Sequence, residues 1–396
     1  MVTHSFYESD NRIIRYAEAL TGRGDQVEVV ALRRSAQLPK RELVNGVLLH
    51  RIQDRFGKKE ASPWSYLWPL LRFAIVSARW LYIHGQPRKF DLVHVHNIPD
   101  FLAFSGWPAK RRGARLILDI HDIVPEFFAS KFGVSPRSLL VCLLRWVEKV
   151  SARVSDHVIL ANHLWLDRYT ARSAPAQKCS VFINHVDRQI FQPLPRAARS
   201  SGPLILYPGG LQWHQGLDIA IRAFATLKYK LPDARFHIYG DGSSKCQLIA
   251  LADELGLRES VKFFDPLSLR AIARVVANAD LGVVPKRADS FGNEAYSTKI
   301  MEFMSLGVPV VVSSTRVDRH YFDESVVRFF ESGNDKELAH AMYEVLTDSR
   351  LRESMVQNAN EYVARHSWGR YKSGYLELVD TLIARQSDSK ERMRPV

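Results

Sequence analysis

Glu294 and Glu302 stand with seven residues between them in the segment SFGNEAYSTKIMEFMSLGVPVVVS (290–313). Gly307 and Pro309 mark the end of a helix before a buried apolar strand. Ser297 or Thr298 can cap that helix, so backbone amides near Ser297, Thr298 and Lys299 lack helical partners. Free amides at a helix N-terminus are a phosphate site, and Lys299 adds charge there. Glu302, one turn in, can accept two hydrogen bonds from the hydroxyls of a ribose. Glu294, in the preceding loop, can approach a sugar. The alternative is a surface loop with two solvated glutamates, which fits Phe291-Gly292 and the abrupt apolar run poorly.

Weaker candidates lie upstream. His94 and His96 alternate on DLVHVHN and point to one face. They read as polar residues at the carboxyl end of a strand, touching an acceptor. A zinc pair would need a third ligand that the spacing does not offer, so no metal is expected. Cys142, Cys179 and Cys246 match no zinc or redox spacing and read as reduced thiols. Tyr239-Gly240-Asp241-Gly242 reads as a turn, and Tyr16, Trp146 and Trp165 as core or interface aromatics.

These residues need a scaffold, and the chain supplies it twice. In the first half VTHSF, QVEVVAL, DLVHVHN, RLILDIHD, VSDHVILAN and CSVFINH read as strands, mostly separated by helical stretches. QPLPRAARSSGP (192–203) reads as a linker. The alternation then restarts with PLILYPGG, ARFHIYGDG, VKFFDP, ADLGVVP and VPVVVSS. Strand–helix alternation predicts an α/β fold of two doubly wound parallel-sheet domains facing across a cleft. The expected boundaries are 1–195, 196–366, a helix over 367–386 crossing back to the first domain, and a disordered tail over 387–396. The length of 396 residues suits two domains.

The net charge of +13 is unevenly placed. Residues 1–199 hold 30 Lys and Arg against 17 Asp and Glu, whereas residues 200–396 hold 25 of each. Either the first half meets an anionic partner, such as a lipid surface or a phosphorylated acceptor, or the excess only solubilises. A nucleic-acid partner would leave the glutamates unexplained and is not expected. PWSYLWPLLRFAIVSARWLYI (63–83) is apolar, but Arg72 and Arg79 argue against spanning a membrane. It suits a helix lying in a membrane interface, or one packed on the sheet with its arginines reaching water. The N-terminus lacks a signal-peptide pattern, so the expected place is the cytoplasm, peripheral to the inner face of the membrane. Only Met1 to Thr3 precede the first expected turn, as if the first strand were clipped.

The 290–313 segment resembles the signature of the retaining family 4 glycosyltransferases of GT-B fold, in the branch where a lysine precedes the second glutamate. YPGGLQWHQGLDIAIRAF, HIYGDG and NADLGVVP resemble the family's donor-domain blocks. RIIRYAEALTGRGDQVEVV, DLVHVHNIPD, LDIHDIVPE and VFINHVDRQIFQP resemble its acceptor-domain blocks, in order. The resemblance implies a metal-independent enzyme using a UDP- or GDP-sugar and a lipid-linked or saccharide acceptor. It places Glu294 on the donor sugar, Glu302 on the ribose, and Phe291 and Gly292 along the donor. It puts His121 near the transferred sugar with Asp122 as its support, and Gly209 and Gly210 at close backbone approach. Gly210 and Gln215 stand where the family usually has an arginine and a lysine. Lys299, Lys286, Arg287 or Arg12 are the candidate substitutes, with His214 in the same loop; SFYESDNR replaces the family's first glycine-rich loop and makes Arg12 the expected anion contact there. A sugar-nucleotide epimerase and a non-catalytic nucleotide-binding subunit are the alternatives.

Overall fold

Runs such as VVAL, LILYP, LGVV and VVVS carry no polar alternation, because each strand is covered on both faces by helices. The computed structural model describes residues 1–55, 63–86, 90–194, 202–289 and 291–391. It divides into one unit of Met1–Ile183 with the chain from Tyr371 onward, and a second of Asn184–Arg370. The break falls earlier than position 195, and most of the expected linker lies outside the described residues.

In the first unit the chain runs β1 (Val2–Thr3), α1 (Asn11–Arg23), β2 (Glu28–Arg33), β3 (Arg41–Val44), β4 (Val47–Asp54), α2 (Pro63–His84) and β5 (Leu92–His96). It continues through α3 (Trp107–Lys110), β6 (Arg115–Ile120), α4 (Val124–Phe132), α5 (Leu139–Val154), β7 (His157–Leu160), α6 (Leu166–Arg172) and β8 (Cys179–Val181). The sheet order is β3-β4-β2-β1-β5-β6-β7-β8, parallel except for the β3–β4 hairpin. That hairpin turns at Asn45-Gly46, with φ of 52° and 80°. Paired positive φ values suit Asn-Gly between two antiparallel strands. The helix α1 starts where the Asp10 side chain accepts from the Ile13 amide and ends at Gly24, φ 102°.

The second unit runs β9 (Leu204–Pro208), α7 (Leu217–Lys230), β10 (Arg235–Tyr239), α8 (Lys245–Glu254), β11 (Val261–Phe264), α9 (Leu269–Val276) and β12 (Leu281–Val284). Then follow α10 (Thr298–Ser305), β13 (Val310–Ser313), α11 (Arg316–Tyr321), β14 (Arg328–Phe330), α12 (Asp335–Thr347) and α13 (Ser349–His366). Its strands are all parallel, in the order β11-β10-β9-β12-β13-β14. The chain builds outward from β9 on one side, then returns to its other side with β12. That reversal opens a crevice at the carboxyl ends of β9 and β12.

The last helix, α14 (Trp368–Glu391), begins in the second unit and continues in the first. It carries helix through Glu391, where a disordered tail was expected from 387; residues 392–396 lie outside the described ones. The helix α2 buries Leu70, Phe73, Ser77 and Leu81 and exposes Trp68, Arg72, Ile75 and Arg79. No described helix is long and apolar enough to cross a membrane. Tyr16 and Trp165 are core residues, but Trp146 is 62% exposed, not buried.

Candidate active site

In the second unit, the loop after β9 and the start of α10 meet. Gly209 has φ 145°, and a side chain there would overlap Lys299. Its backbone therefore runs directly beneath the lysine. Lys299 Nζ lies 3.3 Å from Gln215 Oε1 and 5.3 Å from the ring centre of Tyr207. The Tyr207 hydroxyl shares its one proton between Gln215 Oε1 at 2.9 Å and the Gly210 carbonyl at 2.8 Å. Gln215, standing where the family usually has a cation, thus acts as an acceptor that draws Lys299 to the glycine loop.

Ser297 takes the N-cap position of α10, yet its side chain makes no capping bond and its hydroxyl is buried without a hydrogen-bond partner. The expected side-chain cap is thus absent, and the first turn's amides receive no bond from Ser297 Oγ. Burial holds the Lys299 pKa below the usual lysine range, against the pull of Glu302. Burial raises Glu302, with Lys299 and a hydrogen bond from Thr298 opposing. An ammonium and a carboxylate one turn apart are thus held half-buried at the helix tip.

The loop carrying Glu294 is built from its backbone. Asp289 Oδ1 accepts from the amides of Phe291 and Gly292 at 3.1 and 2.6 Å, and the Phe291 carbonyl accepts from the Glu294 amide at 3.0 Å. A side chain at Gly292 would collide with the Arg287 carbonyl. Phe291 packs edge-on against His214, ring centres 5.3 Å apart. Ser290 lies outside the described residues.

The other candidate cations are committed elsewhere. Lys286 is 3% exposed and pairs with Asp318 at 2.9 Å. Arg287 pairs with Asp218 at 2.6 Å and stacks on Trp213. Arg12 does not serve as an anion contact: it is 2% exposed, and both its Nε and Nη2 donate to Asp119, while Nη1 donates to the Phe182 carbonyl.

In the first unit, His94, His96, Asp119 and His121 form one polar cluster at the sheet's carboxyl edge. The β5–β6 register sets His96 beside Asp119, and Asp119 and His121 alternate onto one face. His121 Nε2 lies 3.1 Å from His96 Nδ1 and 3.5 Å from Asp119 Oδ2. Asp119 Oδ2 lies 3.5 Å from His121 Nε2, and Asp122, the expected support, also meets the histidine through its charge. The Asp122 backbone is tied to Asn97, and burial lifts its side-chain pKa to about 7 against the pull of His121. Burial alone would raise Asp119 too, but Arg12 and His121 hold it well below the usual carboxylate range. Burial keeps His94 and His96 low, as neutral imidazoles. His94 and His96 are 1% and 0% exposed, so neither offers a surface to an acceptor as expected; His121, 21% exposed, does. Both are packed within the cluster, with His94 Nδ1 3.0 Å from the Tyr375 hydroxyl.

His94, His96 and Asp119 bring ligand atoms within 4.8 Å of one another, so the third group missing from the histidine pair does exist. The Arg12 guanidinium already occupies both Asp119 oxygens, and a fixed cation opposes a second one. Asp119 is the residue that sequence reasoning passed over. Its signal was its place two residues before His121, which directly follows the strand.

Residues 10–185 match the family described as glycosyl transferase 4-like domain, and residues 192–362 match glycosyl transferases group 1. A D-inositol 3-phosphate glycosyltransferase of Thermobispora bispora is 25% identical over 90% of this chain and 85% of its own. Sucrose-phosphate synthase from Thermosynechococcus elongatus superposes with a TM-score of 0.77 at 17% identity, over 97% of this chain and 99% of that one. HepE of Anabaena, solved with UDP and glucose, gives 0.68 at 16% identity, over 99% of each chain. Matched in both halves and sharing this fold, the chain belongs to the family 4 glycosyltransferases of GT-B fold.

Proposed function

We propose that this glycosyltransferase takes its sugar from a UDP- or GDP-linked donor held at the carboxyl ends of β9 and β12. The observation that carries the reading is Lys299, drawn over the Gly209 backbone at the open N-terminus of α10. There the ammonium and the helix amides take the diphosphate, Glu302 the ribose and Glu294 the sugar hydroxyls. HepE, with UDP bound in its crystals, supports the uridine donor. Transfer proceeds with retention. The acceptor oxygen bonds to the anomeric carbon as the bond to the phosphate oxygen breaks on the same face, and that phosphate oxygen takes the acceptor's proton. Such chemistry asks for diphosphate stabilisation more than for an enzymic base. In the first unit, His121, 3.5 Å from Asp119, is the candidate for contact with the transferred sugar.

For the acceptor, the basic first half and the apolar, arginine-bearing outer face of α2 favour a lipid-linked saccharide at the membrane's inner face, the enzyme being cytoplasmic and peripheral. A second reading is a soluble phosphorylated acceptor, favoured by the name of the Thermobispora bispora relative.

Screening nucleotide sugars for nucleoside diphosphate release, with lipid-linked saccharides or inositol phosphates as acceptors, tests both. No release from any donor overturns the donor site. Glu294→Ala should lose most turnover, about 100-fold or more, with an unchanged melting temperature; Glu302→Ala should mainly raise the KM for donor. An unimpaired Glu294→Ala counts against the site. Because the charge is carried by Lys299 and backbone amides, turnover should survive dialysis against a chelator. Loss of activity restored by a divalent ion would refute that part.

A further inference from the structure

The first unit holds an apolar cavity that shares no lining residue with the donor site described above and is bordered by Ile98, Pro99 and Phe101 of the loop after β5. It measures about 280 Å³ and is walled by Leu67 and Leu70 of α2, Phe127 and Phe128 of α4, and Leu140 and Leu144 of α5. Asp100, the ionisable residue in its lining, is 2% exposed and accepts from the Asn97 side chain at 2.7 Å. Whole-ligand sites run from about 300 Å³ upward and set polar groups among apolar ones. A cavity this small and this apolar has nothing for a sugar or phosphate to bond, and suits a short length of hydrocarbon.

Its rim shows what brings that hydrocarbon. Leu139, Leu143 and Trp146 on α5 are 91%, 53% and 62% exposed, in one stripe that Lys149 and Arg153 continue. Across the cavity, α2 exposes Trp68, Arg72, Ile75 and Arg79 in that order along the chain. The sequence of α2 contains no acid. The one acid of α5, Glu148, is 1% exposed and bound to Arg172. Both helices thus turn apolar and cationic side chains outward with no carboxylate among them. Aromatic and aliphatic residues set between cations suit the headgroup–acyl boundary of an anionic bilayer.

We propose that the α2–α4–α5 cavity takes a segment of acyl chain from an anionic phospholipid of the bilayer, with the α5 stripe and the α2 arginines seated on the membrane surface. The proposal deepens the membrane side of the reading above and is independent of the donor site. It makes lipid binding a two-part event: cations and rim residues adsorb to the surface, and one chain enters the protein and fixes its orientation.

The test uses the full-length protein with vesicles of phosphatidylglycerol or of phosphatidylcholine, each doped with lipid bearing a photoreactive group on its acyl chain. The wild type should float with phosphatidylglycerol at low salt, leave at high salt, and be labelled on α4 and the cavity side of α5. Leu144→Trp fills the cavity without touching charge. It should cut the cavity label about tenfold, the equivalent of roughly two buried methylenes, while donor hydrolysis measured without vesicles stays unchanged. Leu139→Ser with Leu143→Ser should weaken flotation and spare the fold. No flotation at low salt overturns the proposal, as does equal binding to phosphatidylcholine. So does label confined to exposed residues in the wild type. A dimer in light scattering that Leu139→Glu dissolves would assign the face to a second copy instead. Donor hydrolysis reports on the nucleotide site alone, so its absence with flotation intact leaves the cavity standing.

Discussion

Lys299→Ala should lower kcat/KM for the donor by about 100- to 1,000-fold and leave the folded state intact. The expectation comes from where the other cations are. Lys286 and Arg287 each face a carboxylate, and Arg12 spends its donors on Asp119 and a carbonyl. Lys299 rests instead on the neutral oxygen of Gln215 and the ring of Tyr207, with Glu302 one turn away. A charge held at the place where a diphosphate gathers its negative charge stabilises departure more than ground-state binding, so kcat should fall with kcat/KM. The pH profile separates charge from shape. Only the ammonium binds a diphosphate, and burial lowers the pH at which Lys299 loses its proton. Wild-type kcat/KM should therefore decline as pH rises, earlier than an exposed lysine titrating near about 10.4 would allow. Lys299→Arg should move that decline upward. An alanine variant with wild-type kcat would place the leaving group elsewhere.

What the sequence disclosed follows from what a single segment can encode. The helix starting at Thr298 is local, and its residue pattern alone placed it. The doubly wound halves were legible because a strand buried on both faces is an unbroken apolar run. The β3–β4 hairpin was missed although Asn45-Gly46 stands between RELV and VLLHRIQD. That turn signal is local and strong, but it adds an antiparallel edge to an otherwise alternating pattern. The fate of Arg12 was not legible. Its partner lies 107 residues away, and nothing in SFYESDNR tells a buried ion pair from a phosphate contact. Only the sheet order, which brings the end of β6 close to the start of α1, decides between them. Asp122 drew attention as the nearest acid to His121 in sequence, whereas strand geometry favours the residue two before it.

Asp119→Ala should destabilise the protein by about 3–5 kcal/mol, because removing one member of a buried ion pair strands the other. Asp119 is 0% exposed and Arg12 2%, and their two hydrogen bonds measure 2.6 and 2.8 Å. The guanidinium cannot shed its proton near neutral pH, so it would remain charged within the core. Denaturant unfolding of the purified variant measures the loss. The double replacement Asp119→Leu with Arg12→Met should regain most of it, since apolar groups of similar volume leave nothing charged behind. If the single variant is as stable as the wild type, the pair is not buried as described. The acid limb offers a second check, and its sign follows from the depressed Asp119 pKa. A carboxylate lowered in the folded state contributes stability above its unfolded value, about 3.9, and loses it as pH falls toward the folded one. Wild-type stability should therefore drop through that acidic window, and the double variant should drop less. The same variants bear on His121. Without Asp119 its imidazole loses the carboxylate 3.5 Å away, so the refolded double variant should bind nucleotide normally yet turn over slowly, separating the orientation of the histidine from the grip on the donor.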